Sequence, residues 1–219
     1  MYCRKRFILI IVLIFIFLVG CATTPPVREA LKEDLKVPAG KIEGNHFFGI
    51  RYPFNVLVPS RWKITMEFPD FLKGLGYDKP SPMDKEQTEL YIYNPETKTS
   101  IQFDFTPAGQ YSVFNQEGIE RLTTLATGSF KQELEEEHGK DIQVGIGPTE
   151  PISLKGVQFA AKKFATYTIN GVKREQGWIY GFTEPYQIFI LYMILEKEGA
   201  NDRQDLKNIL DSFEVMPKK

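Results

Sequence analysis

The sequence predicts an α+β fold, an α/β/α sandwich whose central, mostly antiparallel sheet carries helices on both faces. Three observations carry that expectation. Apolar and polar residues alternate with period two over several short runs, an Asn170-Gly171 pair joins two long ones, and helical spacing dominates about 115–138 and 202–213. Alternation places successive side chains on opposite faces of a strand, whereas a 3.6-residue period gathers them on one face of a helix.

The first strands lie in an aromatic-rich stretch that begins at His46. Phe47 to Tyr52, Asn55 to Pro59 and Trp62 to Phe68 read as strands broken by Pro53 and by Pro59-Ser60-Arg61. Leu90 to Tyr93 follows, and the turn Asn94-Pro95-Glu96-Thr97 leads into Ser100 to Thr106. There Ile101, Phe103 and Phe105 share one face while Gln102, Asp104 and Thr106 share the other, wetter one.

A long helix comes next. Asn115 is its expected N-cap, Glu117 complements the positive first turn, and Gly139 stands where a terminating glycine belongs. Ile119, Leu122, Leu125, Ala126, Phe130 and Leu134 form its expected apolar stripe, and Gly128 in mid-helix suggests close contact there. Phe114, just before the cap, is expected to staple onto Ile119 or a neighbour. After Asp141 to Ile146 the chain returns to strands, with Val157 to Ile169 and Trp178 to Phe182 flanking the Asn170-Gly171 turn. Tyr186 to Leu195 is almost continuously apolar; ten residues cannot span a bilayer as a helix but suit a central strand covered on both faces. The last helix, about Asp202 to Phe213, presents Leu206, Ile209, Leu210 and Phe213.

The N-terminus has a different character. Arg4, Lys5 and Arg6 precede thirteen consecutive apolar residues, Phe7 to Val19, and Gly20 stands before Cys21. Basic start, apolar middle and small residue before the cut define a secretory signal peptide over residues 1–20. A membrane-spanning helix needs roughly 20 apolar residues, and Thr23-Thr24-Pro25-Pro26 ends any helix before that length is reached. Leu18-Val19-Gly20-Cys21 also resembles the lipobox of bacterial lipoproteins. The resemblance implies cleavage before Cys21, a diacylglycerol thioether on Cys21, and usually a further acyl chain such as palmitate on its amine. Two or three acyl chains anchor stably where one does not, each buried CH₂ contributing about 0.8 kcal/mol. Ala22 after the cysteine resembles the pattern sent to the outer membrane, facing the periplasm, in bacteria that have two membranes. Residues 21–45 read as a flexible tether, on the order of 25–30 Å long, with Val27, Leu31 and Leu35 able to form only a short amphipathic helix. One domain, 46–219, follows.

Composition narrows the function. Loss of Arg4, Lys5 and Arg6 leaves 24 basic residues against 28 acidic ones, a net charge of −4. No clustered basic face marks a nucleic-acid partner or an anionic lipid surface. Of the two cysteines Cys3 leaves with the signal and Cys21 is the lipid site, so the domain holds no thiol, disulfide or thiolate metal site. Its two histidines are His46, at a strand start, and His138, at a helix end among Glu135, Glu136 and Glu137, which fan outward rather than converge. No Gly-x-Ser-x-Gly, His-Glu-x-x-His or phosphate-cradling loop occurs, and Gly145-Ile146-Gly147-Pro148 reads as a strand-end turn. No catalytic residue, cofactor or metal is expected. The stretch Pro69 to Thr88 is the candidate partner-binding loop, through Phe71, Leu75 and Tyr77; the reading that outweighs it is a short helix folding Phe71, Leu72, Leu75 and Tyr77 back over the sheet edge.

Taken in order, the Tyr52-Pro53 step, the Pro59-Ser60-Arg61-Trp62 turn, Asn94-Pro95, the mid-chain helix, the Asn-Gly hairpin and the tail Leu206, Ile209, Leu210, Ser212, Phe213 resemble the PsbP/Mog-like α/β/α sandwich. That fold occurs in photosystem extrinsic subunits, a Ran-binding protein and many bacterial lipoproteins. The resemblance covers about residues 46–216, with 69–88 longer than the usual connection. It implies a protein that binds or scaffolds and supplies no catalytic residue; the lipid anchor, the tether and the well-cored domain add an envelope protein as the expected partner. Three functions are therefore weighed: a membrane-anchored, non-catalytic binding or scaffolding module; a carrier or sensor of a small apolar ligand held between sheet and helix; and, least supported, an envelope hydrolase.

Overall fold

Side-chain alternation decides which face of each strand enters the core, and it is followed closely. The computed structural model describes residues 36–73, 88–108, 114–196 and 201–217. Along the chain run β1 (Gly40–Glu43), β2 (His46–Gly49), β3 (Phe54–Leu57), β4 (Lys63–Thr65), α1 (Asp70–Lys73), β5 (Thr88–Tyr93) and β6 (Ser100–Pro107). The long helix α2 (Gln116–His138) precedes β7 (Val144–Ile146), β8 (Glu150–Pro151), β9 (Phe159–Ile169), β10 (Val172–Thr183), β11 (Tyr186–Leu195), α3 (Asp202–Ser212) and β12 (Glu214–Val215).

Two sheets result. A large one has the order β4-β5-β6-β11-β10-β9-β7, with β8 also pairing β9, and a small one has the order β1-β2-β3-β12. The pairings within both are antiparallel. The β9–β10 hairpin turns at Asn170 and Gly171 with φ of 51° and 76°, the two positive values that a two-residue type I′ turn demands. Tyr186 to Leu195 forms a central strand between β6 and β10, as its continuous apolarity predicts.

One face of the large sheet is covered jointly. Ile101, Phe103 and Phe105 of β6 and Ile188, Ile190 and Ile194 of β11 meet Phe47, Phe54 and Val56 of the small sheet and Leu206, Ile209 and Phe213 of the α3 region. Phe54 is fully buried, its ring 4.6 Å from Phe105 and 5.7 Å from Phe213, while Phe103 stacks on Phe213 at 5.3 Å. The opposite face carries α2. Phe130 lies 5.3 Å from Trp178 and 5.9 Å from Tyr167, and the Trp178 indole N–H donates to the Thr123 carbonyl at 2.8 Å. The cap forms as the sequence predicts: the Asn115 side chain accepts from the Gly118 amide at 2.8 Å, and Gly139 closes the helix at φ 88°. Phe114 packs 4.7 Å from Phe182 within the cluster that holds Ile119, which is the expected staple.

Three expectations change. The stretch expected as tether contains β1, which pairs with β2 through the two-residue loop Gly44-Asn45 and sets Ile42 opposite Phe47. Pro38-Ala39-Gly40 masks that strand in the sequence, yet Gly40 is required there, since a Cβ would stand 2.3 Å from the Phe47 ring. Leu125 is 73% exposed, because the buried line of α2 runs through Ile119, Thr123, Phe130 and Leu134 and leaves Leu125 off its edge. Gly128 falls on the side away from that line, with open space around it instead of close contact. The possible helix through Val27, Leu31 and Leu35 lies outside the described residues.

The buried polar residues explain how α3 is seated. Asp202, at its first turn, is 1% exposed and accepts from the Asn94 amide at 3.0 Å and the Thr99 hydroxyl at 2.7 Å. One turn on, Asp205 accepts from the Arg61 guanidinium at 2.5 Å and the Trp62 indole at 2.6 Å. Carboxylates here also face the positive end of the helix. At the other end Ser212 Oγ accepts from the Leu57 amide at 3.0 Å.

Truncating the aromatic hub should be costly and truncating the helix surface should not. Phe54→Ala is expected to lose about 3–5 kcal/mol of unfolding free energy, and Leu125→Ala to change it by less than about 0.5 kcal/mol, both read from urea denaturation.

Candidate functional site

Among the described residues the face of the large sheet under α2 is only partly covered, and its composition is set by the register. Tyr91, Gln102, Leu191 and Trp178 stand side by side across β5, β6, β11 and β10. The next rows set Asp104 beside Phe189 and Tyr180, and Met193 beside Gln176. On one side rises α2, presenting Ala126, Ser129, Phe130, Glu133, Leu134, Glu137 and His138. On the other side the segment leading into α1 presents Phe68, Pro69 and Leu72. Between them lies a cleft of about 480 Å³. That is within the roughly 300–1,000 Å³ range of small-molecule sites, as is its mainly apolar and aromatic lining with a few placed polar groups.

Those polar groups form two sets. On the floor, Gln102 Nε2 donates at 3.0 Å to each carboxylate oxygen of Asp104, a residue 7% exposed, and at 3.0 Å to Thr88 Oγ1. At the end nearest the β9–β10 turn, the Tyr167 hydroxyl donates to Gln176 Oε1 at 2.7 Å beside the Arg174 guanidinium. Arg174 is the single Lys or Arg side chain among the described lining residues, and it makes no ion pair among the described residues. Its Nε is buried and has no hydrogen-bond partner. A buried donor left unsatisfied costs on the order of 1–3 kcal/mol, so this arginine is the polar group of the cleft least provided for by the protein itself.

Three tyrosines of the cleft, Tyr167, Tyr180 and Tyr192, are shifted towards the protonated form. Burial pushes the Tyr167 phenol up, against a smaller opposing effect of Arg174. Burial pushes Tyr180 up as well, and the nearby Asp104 carboxylate adds to it. Tyr192 is displaced furthest, first by burial and then by the charge and hydrogen bond of Glu175.

Phe71 is half-buried against the Tyr93 ring, 4.8 Å away, with Lys98 Nζ 5.8 Å from its centroid. Leu72, its neighbour, is buried and lines the cleft. Leu75 and Tyr77, like Cys21, lie outside the described residues. His46 stacks on Phe48 at 4.0 Å, on the small sheet. His138 reaches the cleft rim 3.6 Å from Glu137. Among the described residues no group of three or more His, Cys, Asp or Glu is gathered as a metal would require, and no helix is long and apolar enough to cross a membrane. Sequence reasoning missed Arg174. The available signal was the face that Gln102 and Asp104 share with Trp178 and Leu191, a mixture of polar and aromatic residues unlike a plain solvent face.

No protein-family model matches the chain, and no curated protein sequence matches it. Solved structures do. The solution structure of cyanobacterial PsbP (CyanoP) from Synechocystis sp. PCC 6803 aligns with a TM-score of 0.51 at 12% identity, over 82% of this chain and 99% of that one. LpqN of Mycobacterium tuberculosis, described as involved in cell envelope biogenesis, aligns at 0.49 with 14% identity over 75% of this chain and 84% of its own. A Bacteroides thetaiotaomicron protein aligns at 0.48 with 10% identity over 81% of this chain and 50% of its own.

The raised phenols couple stability to alkaline pH. Unfolded tyrosine titrates near pH 10, so above that the unfolded chain releases protons that the folded one retains. The stability these groups contribute is fully present below about pH 10 and is lost as pH rises beyond it. Urea unfolding between pH 8.5 and 11 should show that decline, and Tyr192→Phe should make it shallower. The strand order, the two-faced cover of the sheet and the alignment with CyanoP together give this chain an α+β, PsbP-like fold.

Proposed function

We propose that the protein is a non-catalytic binding module of a bacterial cell envelope, held at a membrane by acyl chains on Cys21. Its binding site is the cleft between α2 and the sheet. The single observation supporting that site is the aromatic-lined cleft of about 480 Å³, with its few convergent polar groups. The support for the anchor is the order of basic residues, apolar run and Leu18-Val19-Gly20-Cys21 in the sequence. In bacteria with two membranes Ala22 favours the outer one, the domain facing the periplasm.

The cleft specifically favours a small ligand as occupant. It is concave and narrow, bounded by a helix and a sheet edge, and protein partners are generally met on broader surfaces of about 800 Å² per side. An envelope protein partner then meets the domain elsewhere, and the loop that begins with Phe71 and continues through Leu75 and Tyr77 is our proposed contact. The anchor is tested by fractionation and mass spectrometry. The wild-type chain should sediment with membranes and yield a diacylated or triacylated N-terminal cysteine peptide, and Cys21→Ala should abolish the acylation and the processing before residue 21. An unmodified sulfur on wild-type Cys21 would overturn it. Affinity purification from detergent-solubilised envelope tests the partner, and repeated recovery of the protein alone counts against it.

A further inference from the structure

We propose that the cleft holds a single-chain amphiphile whose oxyanion head group, a carboxylate or a phosphate, is received by Arg174 while its hydrocarbon tail lies along Phe189, Leu191 and Met193 beside α2. This deepens the reading of the cleft as a binding site and does not depend on the anchor.

Two features separate such a ligand from other occupants. The first is the distribution of polarity. Phe130, Trp178, Phe189 and Leu191 give the middle of the cleft an apolar floor and wall. Hydrocarbon gains free energy there in proportion to the area removed from water. Arg174 stands at one end, where a head group of an extended molecule would lie. The second is the state of that arginine. Its Nε is buried with no acceptor, and its guanidinium makes no ion pair among the described residues. A guanidinium is always charged and presents donors in a planar fork matched to carboxylate and phosphate oxygens. An acceptor supplied by the ligand completes it.

Arg174 and Asp104 stand towards opposite ends of the cleft and set the orientation. Asp104 has both oxygens engaged by Gln102 Nε2 on the floor. Glu133 and Glu137 stand on the exposed rim contributed by α2, beside His138. An anionic head group is repelled at Asp104 and attracted at Arg174, so one direction of insertion is favoured, while Glu137, near Tyr167 at the Arg174 end, is exposed to solvent. A cationic head group would be drawn to the same carboxylates, which gives the test its opposite arm.

The full chain, carried in lipid nanodiscs, is titrated with four probes that share an eleven-carbon tail ending in bromine: a carboxylate, a monoalkyl phosphate, an alcohol and an ammonium. Bromine quenches indole fluorescence only at contact. Trp178 lines the cleft, whereas Trp62 lies in the core on the other side of the sheet. Saturable quenching is expected with the carboxylate and the phosphate, weaker quenching with the alcohol and the weakest with the ammonium. The tighter of the two anions identifies whether a fatty acid or a phosphate-bearing lipid is the better ligand, and either supports the proposal. Arg174→Gln should weaken the anionic probes by at least about tenfold and leave the alcohol unchanged. Ser129→Phe, on the exposed helix side of the cleft, should weaken every probe. Anion binding unchanged in Arg174→Gln, or an ammonium that binds the wild type as tightly as the carboxylate, overturns the proposal on head-group chemistry. Absence of quenching by all four probes overturns the cleft as a binding site altogether. The wild-type order of probes decides the matter even if a variant does not fold.

Discussion

The contact between Phe54 and the Phe103–Phe105–Phe213 group is the constraint on which the remaining architecture depends. These four rings come from β3, β6 and the residue that ends α3, three segments far apart in the chain. Phe54 lies within 6.2 Å of all three partners, and every ring of the group is fully buried. The small sheet's strands are short, two to four residues each, and its apolar face has water as the alternative to the large sheet. It persists because its apolar face is applied to the large sheet, and the same rings bind α3 between them. Gly156 shows how tightly the last piece is applied: a Cβ there would stand 1.8 Å from the Val215 carbonyl of β12.

Around that hydrophobic contact a polar one defines register. Arg61, Trp62, Asn94 and Thr99 come from two turns, and all direct donors at Asp202 or Asp205 in the first turns of α3. Buried carboxylates are costly unless several donors meet them, so only one seating of α3 satisfies these groups together. The sequence marks that resemble the PsbP/Mog-like pattern are therefore contacts that assemble the fold. Pro59 to Trp62, Asn94-Pro95 and the Ser212-Phe213 tail meet at α3, on the side of the sheet opposite the cleft. A pattern of this kind identifies architecture and is silent about the ligand.

The cleft follows from a mismatch of widths. Seven strands in sequence span about 29 Å at the usual inter-strand spacing, and one helix with its side chains is about 10–12 Å across. On the α3 side a helix and a second sheet share the cover. On the other side, among the described residues, α2 stands alone over β9 and β10, and the floor made by β6 and β11 is left open beside it. Natural sheets do not leave such a face apolar without consequence. Here the face carries Trp178, Phe189 and Leu191 together with an Asp104 held by Gln102 and an Arg174 whose Nε has no partner, a composition unlike that of a solvated surface.

Much of the fold could be read along the chain because its signals are local. The Asn170-Gly171 turn, the Asn115 cap, the alternation in β6 and the central position of β11 each depend on residues a few positions apart, and each is realised. Leu125 and Gly128 departed from expectation because apolarity and size do not say which line along a helix meets a sheet, and β1 was hidden by Pro38 and by Gly40, whose meaning depends on Phe47. The N-terminal pattern around Cys21 is likewise a local signal, and it alone motivates the proposed anchor. The cleft could not be read in this way. Arg174 acquires its significance from Tyr167 across the hairpin and from α2, some forty residues upstream, so only the folded arrangement of β10 beneath α2 removes its Nε from water and leaves it without an acceptor.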